Sequence, residues 1–139
     1  MLRQASTTLA IRAPRPGLHE FTDSVVEFVG DSGIRDGLLT IFCRHTSASL
    51  VIQENAAPAA RRDLEAYFER IAPEDAGYEH DDDGPDDMPA HLRSALTQTQ
   101  LSIPVQAGIP QLGTWQGVFL FEHRRNTPER QVALHLVGE

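Results

Sequence analysis

Thr114–His123 reads T-W-Q-G-V-F-L-F-E-H, the strongest strand signal in the chain. Thr114, Trp115, Val118, Phe119 and Phe121 are β-branched or aromatic, which predicts extended structure. On its far side, Arg124 to Arg130 reads as a polar turn, and Gln131 to Val137 alternates as a last strand. On its near side, Gly108 to Gly113 is rich in turn residues. Leu101 to Val105 reads as a strand that Pro104 pushes toward a sheet edge.

Further upstream, residues 4–12 predict a first strand, broken by Pro14, Pro16 and Gly17. Phe21, Val25, Phe28 and Val29 recur at helical spacing behind Thr22, a candidate N-cap, and Asp31-Ser32-Gly33 closes that helix. Leu38 to Arg44 is a continuous apolar run that predicts a strand buried on both faces, and Leu50-Val51-Ile52 returns to extended structure. Pro58 opens a second helix through Arg70 with Leu64, Phe68 and Ile71 on one face. A third begins at Asp86 or Asp87, with Leu92 and Leu96 as its apolar face. About six strands and three helices without a βαβ rhythm define one α+β domain, its sheet largely antiparallel or sandwich-like.

Composition narrows the function. The 139 residues carry a formal charge of −8, with 40% hydrophobic and 23% charged residues, so the chain is globular rather than disordered. All twelve basic residues are arginine. Arginine suits bidentate recognition of phosphate and carboxylate; the bland alternative is a GC-rich genome that prefers arginine codons. The acidic balance excludes a broad nucleic-acid surface. No apolar run is long enough to span a bilayer and residues 1–20 contain no signal-peptide core, so a cytoplasmic location is expected. The single cysteine, Cys43, lies in an apolar run and reads as an inert buried thiol.

The chemistry concentrates in Tyr78–Leu96, Y-E-H-D-D-D-G-P-D-D-M-P-A-H-L-R-S-A-L. His80 and His91, joined by His45 from a strand end, are candidates for an open, zinc-like site with three protein ligands. Taken singly, each imidazole could equally be a half-buried structural residue. His19 and His135 read as surface and structural positions. Asp81, Asp82, Asp83, Asp86 and Asp87 are candidates for holding Mg²⁺ against a diphosphate; the bland alternative is a solvated acidic run in which Asp86 or Asp87 is an N-cap. Arg44-His45-Thr46-Ser47-Ala48-Ser49 follows a strand, where hydroxyls and backbone N–H groups can hold an anion or else close a polar turn. Arg44 and Arg124 are candidate phosphate clamps. Glu54-Asn55 and Glu122-His123 could orient a ligand, and Trp115-Gln116 reads as a rim aromatic beside a polar tip.

Seven stretches, taken together, resemble the YjbQ-like family of secondary thiamine-phosphate synthases. They are G-L-L-T-I-F-C-R-H-T-S-A-S-L (37–50), Q-E-N (53–55), Y-E-H-D-D (78–82), A-H-L-R-S (90–94), S-I-P-V (102–105), L-G-T-W-Q-G-V-F-L-F-E-H-R (112–124) and the closing strand. The resemblance implies a compact sandwich-like α+β fold and a homotrimer. It implies a polar pocket of His45, Thr46, Asn55, His80, His91, Gln116 and Glu122, with metal at the three histidines. The implied reaction joins a pyrimidine diphosphate to a thiazole phosphate with loss of pyrophosphate, using Mg²⁺ on the leaving group.

Under that transferase reading Asp82, Asp86, Glu122 and Arg124 are the expected catalytic groups. Arg44, Thr46, Ser47, Asn55 and Gln116 would bind the small phosphorylated substrate. Two other readings stand beside it: a metal-dependent hydrolase on a three-histidine site, and a non-enzymatic trimer that binds a small ligand or anion. Converging histidines favour the hydrolase, converging Asp and Arg the transferase, and mutually satisfied polar groups the binder.

Overall fold

The computed structural model describes residues 1–126 and 129–139. Positions 127 and 128, inside the predicted polar turn 124–130, lie outside the described residues. Eleven elements follow one another: β1 Arg3–Ile11, β2 Gly17–Glu20, α1 Thr22–Ser32, β3 Gly37–Cys43, β4 Ala48–Glu54, α2 Pro58–Ile71, α3 Asp87–Leu96, β5 Gln100–Gln106, β6 Ile109–Pro110, β7 Gln116–Glu122 and β8 Arg130–Gly138. Five strands form one sheet in the order β1-β8-β3-β5-β6, and three form a second in the order β2-β7-β4. All pairings are antiparallel. The α+β reading with three helices therefore holds. The two strands missed in sequence, β2 and β6, are four and two residues long and sit among Pro and Gly.

The two sheets face each other across one core. Leu39 and Ile41 of β3, Leu134 and Leu136 of β8, and Ile103 of β5 meet Leu50, Val118 and Leu120 of the smaller sheet, with Val25 and Val29 of α1. Each such side chain contributes about 1.5–3 kcal/mol by leaving water. The opposite face of β7 carries Phe119 and Phe121, which pack with Leu18 against Leu64 and Phe68 of α2. Phe68 meets Phe121 edge to face at 5.3 Å. So β7 lies between a second sheet and a helix, which explains its uninterrupted apolar sequence.

Three expectations need correction. The strand buried on both faces is β7 and not β3, where Leu38 and Phe42 point outward at 45% and 43% exposure. Thr22 does not cap α1; it is the first helical residue, and its hydroxyl donates to Glu20 Oε2 and accepts from the Val118 N–H. In α3 the buried residues are Asp87, Pro89 and Ala90, while Leu96 is exposed; Ile71 of α2 is exposed as well. Pro104 falls in β5, whose outer neighbour β6 covers only Val105 and Gln106, so the expected edge character is present for most of its length.

Candidate functional site

The connection from α2 to α3 is tied down at both ends. Tyr78 donates its hydroxyl proton to the Pro73 carbonyl at 2.7 Å, and Gly84, at φ 102°, makes the turn that leads into α3. Asp87 opens the helix, and its side chain is 8% exposed. One turn on, His91 lies on the same face, the i,i+4 relation that brings side chains together. Asp87 Oδ2 stands 3.1 Å from His91 Nε2 and 3.0 Å from His80 Nε2. The ligand atoms of these three residues lie within 4.8 Å of one another.

The remaining imidazole nitrogens are also assigned by their neighbours. His91 Nδ1 is 2.9 Å from the Thr46 carbonyl oxygen, which can only accept, so this nitrogen carries the proton. In the neutral ring Nε2 is then a bare lone pair aimed at a carboxylate. His80 Nδ1 is 3.3 Å from Asp82 Oδ1, and its Nε2 is 3.2 Å from Asp83 Oδ2. The hydrogen bond with Asp87, followed by the charges of Asp82, Asp83 and Asp87, raises the His80 pKa. Arg124 holds the outer oxygen of Asp87, Oδ1, through Nη1, and the Asp83 carbonyl through Nη2 at 3.0 Å. Burial opposes the charge of Asp86. Its bonds from the Arg125 N–H and from Arg124 outweigh that and hold its pKa down.

His45 does not join the other two histidines. Its Nε2 accepts from the Gln131 N–H at 2.8 Å, which leaves Nδ1 as the protonated nitrogen and neither one free to ligate a metal. Burial first, then the Arg130 guanidinium, lowers its pKa and keeps the ring neutral. Glu122 is fully buried in a forked ion pair with Arg130, both oxygens at 2.6 Å, and accepts the N–H groups of His123 and Arg124. Ser47 accepts from Arg130 Nη2 at both its carbonyl and its hydroxyl. His123, 2% exposed, meets Ser49 Oγ at 2.9 Å; burial pushes its pKa down to about 3.

Asn55 and Gln116 lie elsewhere. Asn55 donates to Glu20 Oε2 at the far end of β4, and Gln116 accepts from the Gly113 N–H in a turn. Cys43 is buried, with its thiol pKa raised by burial. An open groove of about 710 Å³ runs beside His91, lined by Arg44, His45, Thr46 and Ser94, and a second hollow of about 660 Å³ flanks His80 and Asp82. Arg130 is the residue that sequence reading missed. Asp87 it places among the Mg²⁺ candidates or at a cap rather than with the histidines, although the Asp87–His91 spacing on one helix was an available signal.

Fold and site together define a two-sheet α+β protein with a histidine–aspartate cluster beside a polar groove. The chain belongs to the UPF0047 protein YjbQ-like family, whose model matches residues 7–139. A UPF0047 protein from Synechocystis is 49% identical over 99% of this chain and 94% of its own length. The YjbQ protein of Escherichia coli O157:H7 is 42% identical over 95% and 96%. Among solved structures, a conserved hypothetical protein from Thermus thermophilus superimposes with a TM-score of 0.80 at 30% identity, covering 92% of this chain and 97% of that one. A protein of unknown function from Sulfolobus solfataricus shares the fold, with a TM-score of 0.86 at 24% identity over 100% and 99%. No helix among the described residues is long and apolar enough to cross a membrane.

Proposed function

We propose that this chain is a metal-dependent hydrolase of small phosphorylated compounds, with His80 Nε2, His91 Nε2 and Asp87 Oδ2 as its protein ligands. The observation that carries this reading is the proton on His91 Nδ1, fixed by the Thr46 carbonyl. It turns the Nε2 lone pair toward Asp87 Oδ2, a pairing that is repulsive without a cation between them, either a proton or a metal ion. Two imidazoles and a carboxylate suit zinc and its neighbours, whereas Mg²⁺ prefers oxygens alone. A divalent ion held by His80, Asp87 and His91 would supply Lewis-acid chemistry, polarising a phosphoryl oxygen and acidifying water.

The surrounding residues have separate duties. Asp82 and the Thr46 carbonyl hold the Nδ1–H groups of the two histidines and so set the tautomer that ligation needs. Arg124 orients Asp87 from its outer oxygen. Asp83, exposed and beside His80 Nε2, is placed to accept a proton from attacking water. Arg44 adds positive charge to the groove beside His91, where a phosphate would sit.

The transferase chemistry implied by the resemblance has less support. Arg124 is committed to Asp86 and Asp87, and Asp86 also takes the Arg125 N–H. We keep thiamine-phosphate synthesis as a side activity of the same groove.

Elemental mass spectrometry of the untagged protein tests the centre directly. The expected result is near-stoichiometric transition metal in the wild type and none in folded His80→Ala or Asp87→Asn. Hydrolysis of p-nitrophenyl phosphate should vanish on chelation and return with the ion. Unchanged metal content in either folded variant would refute the site.

A further inference from the structure

We infer that Arg130 and His45 form an oxyanion seat for the phosphate of the substrate, separate from the metal ligands. The inference rests on the groove being the substrate site and assigns the group that anchors the substrate there. Arg130 is 3% exposed, and its donors can be followed one by one. Nε and Nη2 are engaged by Glu122 Oε1 and Oε2, and Nη2 also by Ser47. Nη1 has one neighbour within hydrogen-bonding range among the described residues, His45 Nδ1 at 3.5 Å. That neighbour cannot accept. Because His45 Nε2 takes the Gln131 N–H, Nδ1 bears a proton. Two donors therefore stand side by side with no acceptor between them.

An oxygen placed about 2.8 Å from each nitrogen closes a triangle on that 3.5 Å base. The guanidinium is locked by its fork with Glu122, so little ordering is left for binding to require. His45 lines the same groove as Arg44, Thr46 and His91. A tetrahedral phosphate has three terminal oxygens: one fills the seat, and the others are free for Arg44 and for the His91 side of the groove. A carboxylate has only two, in one plane. In a chain of net charge −8, two unopposed donors beside an arginine form a local site for an anion.

The test uses full-length protein stripped of metal with a chelator, so that its outcome is independent of the metal centre. Long-range ¹H–¹⁵N imidazole spectra are recorded during titration with inorganic phosphate and, in parallel, with acetate. The expected result is an Nδ1–H tautomer at His45 and saturable shifts there with phosphate but not with acetate. His45→Gln keeps an acceptor for the Gln131 N–H, and its carboxamide N–H₂ branches one atom further out, so no donor stands at the Nδ1 position beside Arg130. It should weaken phosphate at least about tenfold, the worth of one charge-assisted hydrogen bond. An Nε2–H tautomer at His45, equal binding of acetate, absence of saturation, or unaltered phosphate affinity in folded His45→Gln would each overturn the seat. Should His45→Gln fail to fold, the wild-type tautomer and titration decide.

Discussion

The Glu122–Arg130–Ser47 cluster and the His80–Asp87–His91 cluster use similar residue types and end in opposite electrostatic conditions. In the first, every carboxylate oxygen meets a donor: Arg130 takes both, and the N–H groups of His123 and Arg124 share Oε2. In the second, Asp87 Oδ2 faces two imidazole nitrogens, one of them an exposed lone pair in the neutral ring. Burial accompanies the difference in the partners: Arg130 beside the buried Glu122 is 3% exposed, whereas His80 and His91 beside the buried Asp87 have side chains 45% and 32% exposed. A fully buried carboxylate has to be matched within the fold. A half-exposed cluster can keep a surplus of acceptors, and such a surplus is what a cation needs.

The largest effect should come from unmatching the buried pair. Glu122→Ala leaves Arg130 charged and unpaired, a loss of about 3–5 kcal/mol in urea denaturation. Replacing both partners by apolar residues should recover much of it. A single variant as stable as wild type would mean the pair is not desolvated.

Next comes the pH dependence of His123. Its folded pKa of about 3 lies below that of the unfolded chain, so the unfolded state binds the extra proton. Stability should fall as pH drops from about 6.5 to about 3, with a slope from this group of up to about 1.4 kcal/mol per unit, and flatten below. His123→Gln should remove that slope; an unchanged pH profile in the folded variant would count against the buried neutral ring.

Smaller again is the support of the metal cluster from behind. Arg124→Gln should weaken metal about 10–100-fold through Asp87, read by competition with a chromogenic chelator. Equal affinity would show that Asp87 needs no orienting. Smallest of all, Asn55→Ala should shift stability by no more than about 0.5 kcal/mol and leave metal content untouched, because its bond to Glu20 lies at the far end of β4. Any loss of metal would tie the two ends of the sheet together.

Much of this was legible in the sequence, within limits set by physics. The run around Val118–Phe121 was legible as a strand, and its continuous hydrophobicity is the trace of two buried faces, although two-sided burial was expected of the other apolar run. The run from Leu38 to Cys43 looks the same in sequence, yet Leu38 and Phe42 face outward; an apolar residue does not announce which side is covered. His80 and His91 were visible through their acidic surroundings. Asp87 could be read as an ordinary helix-start residue, since a cap and a ligand share the same position and charge. Arg130 left no local trace at all. Its role depends on β8 lying against the His45 turn, a pairing across 85 residues.

The position of β8 has a consequence for how the molecule is made. It is the last strand in the sequence, yet it sits between β1 and β3 and pairs with both. A ribosome delivers those two partners early, and neither can find its shared neighbour until Arg130–Gly138 has been synthesised. Until then β1 and β3 present unsatisfied backbone edges. Arg130, the first residue of β8, reaches Glu122 only when that strand docks. Closure of the large sheet and neutralisation of the buried Glu122 carboxylate, which the smaller sheet carries, are therefore one event in the life of the nascent chain, and premature termination anywhere before β8 leaves both undone.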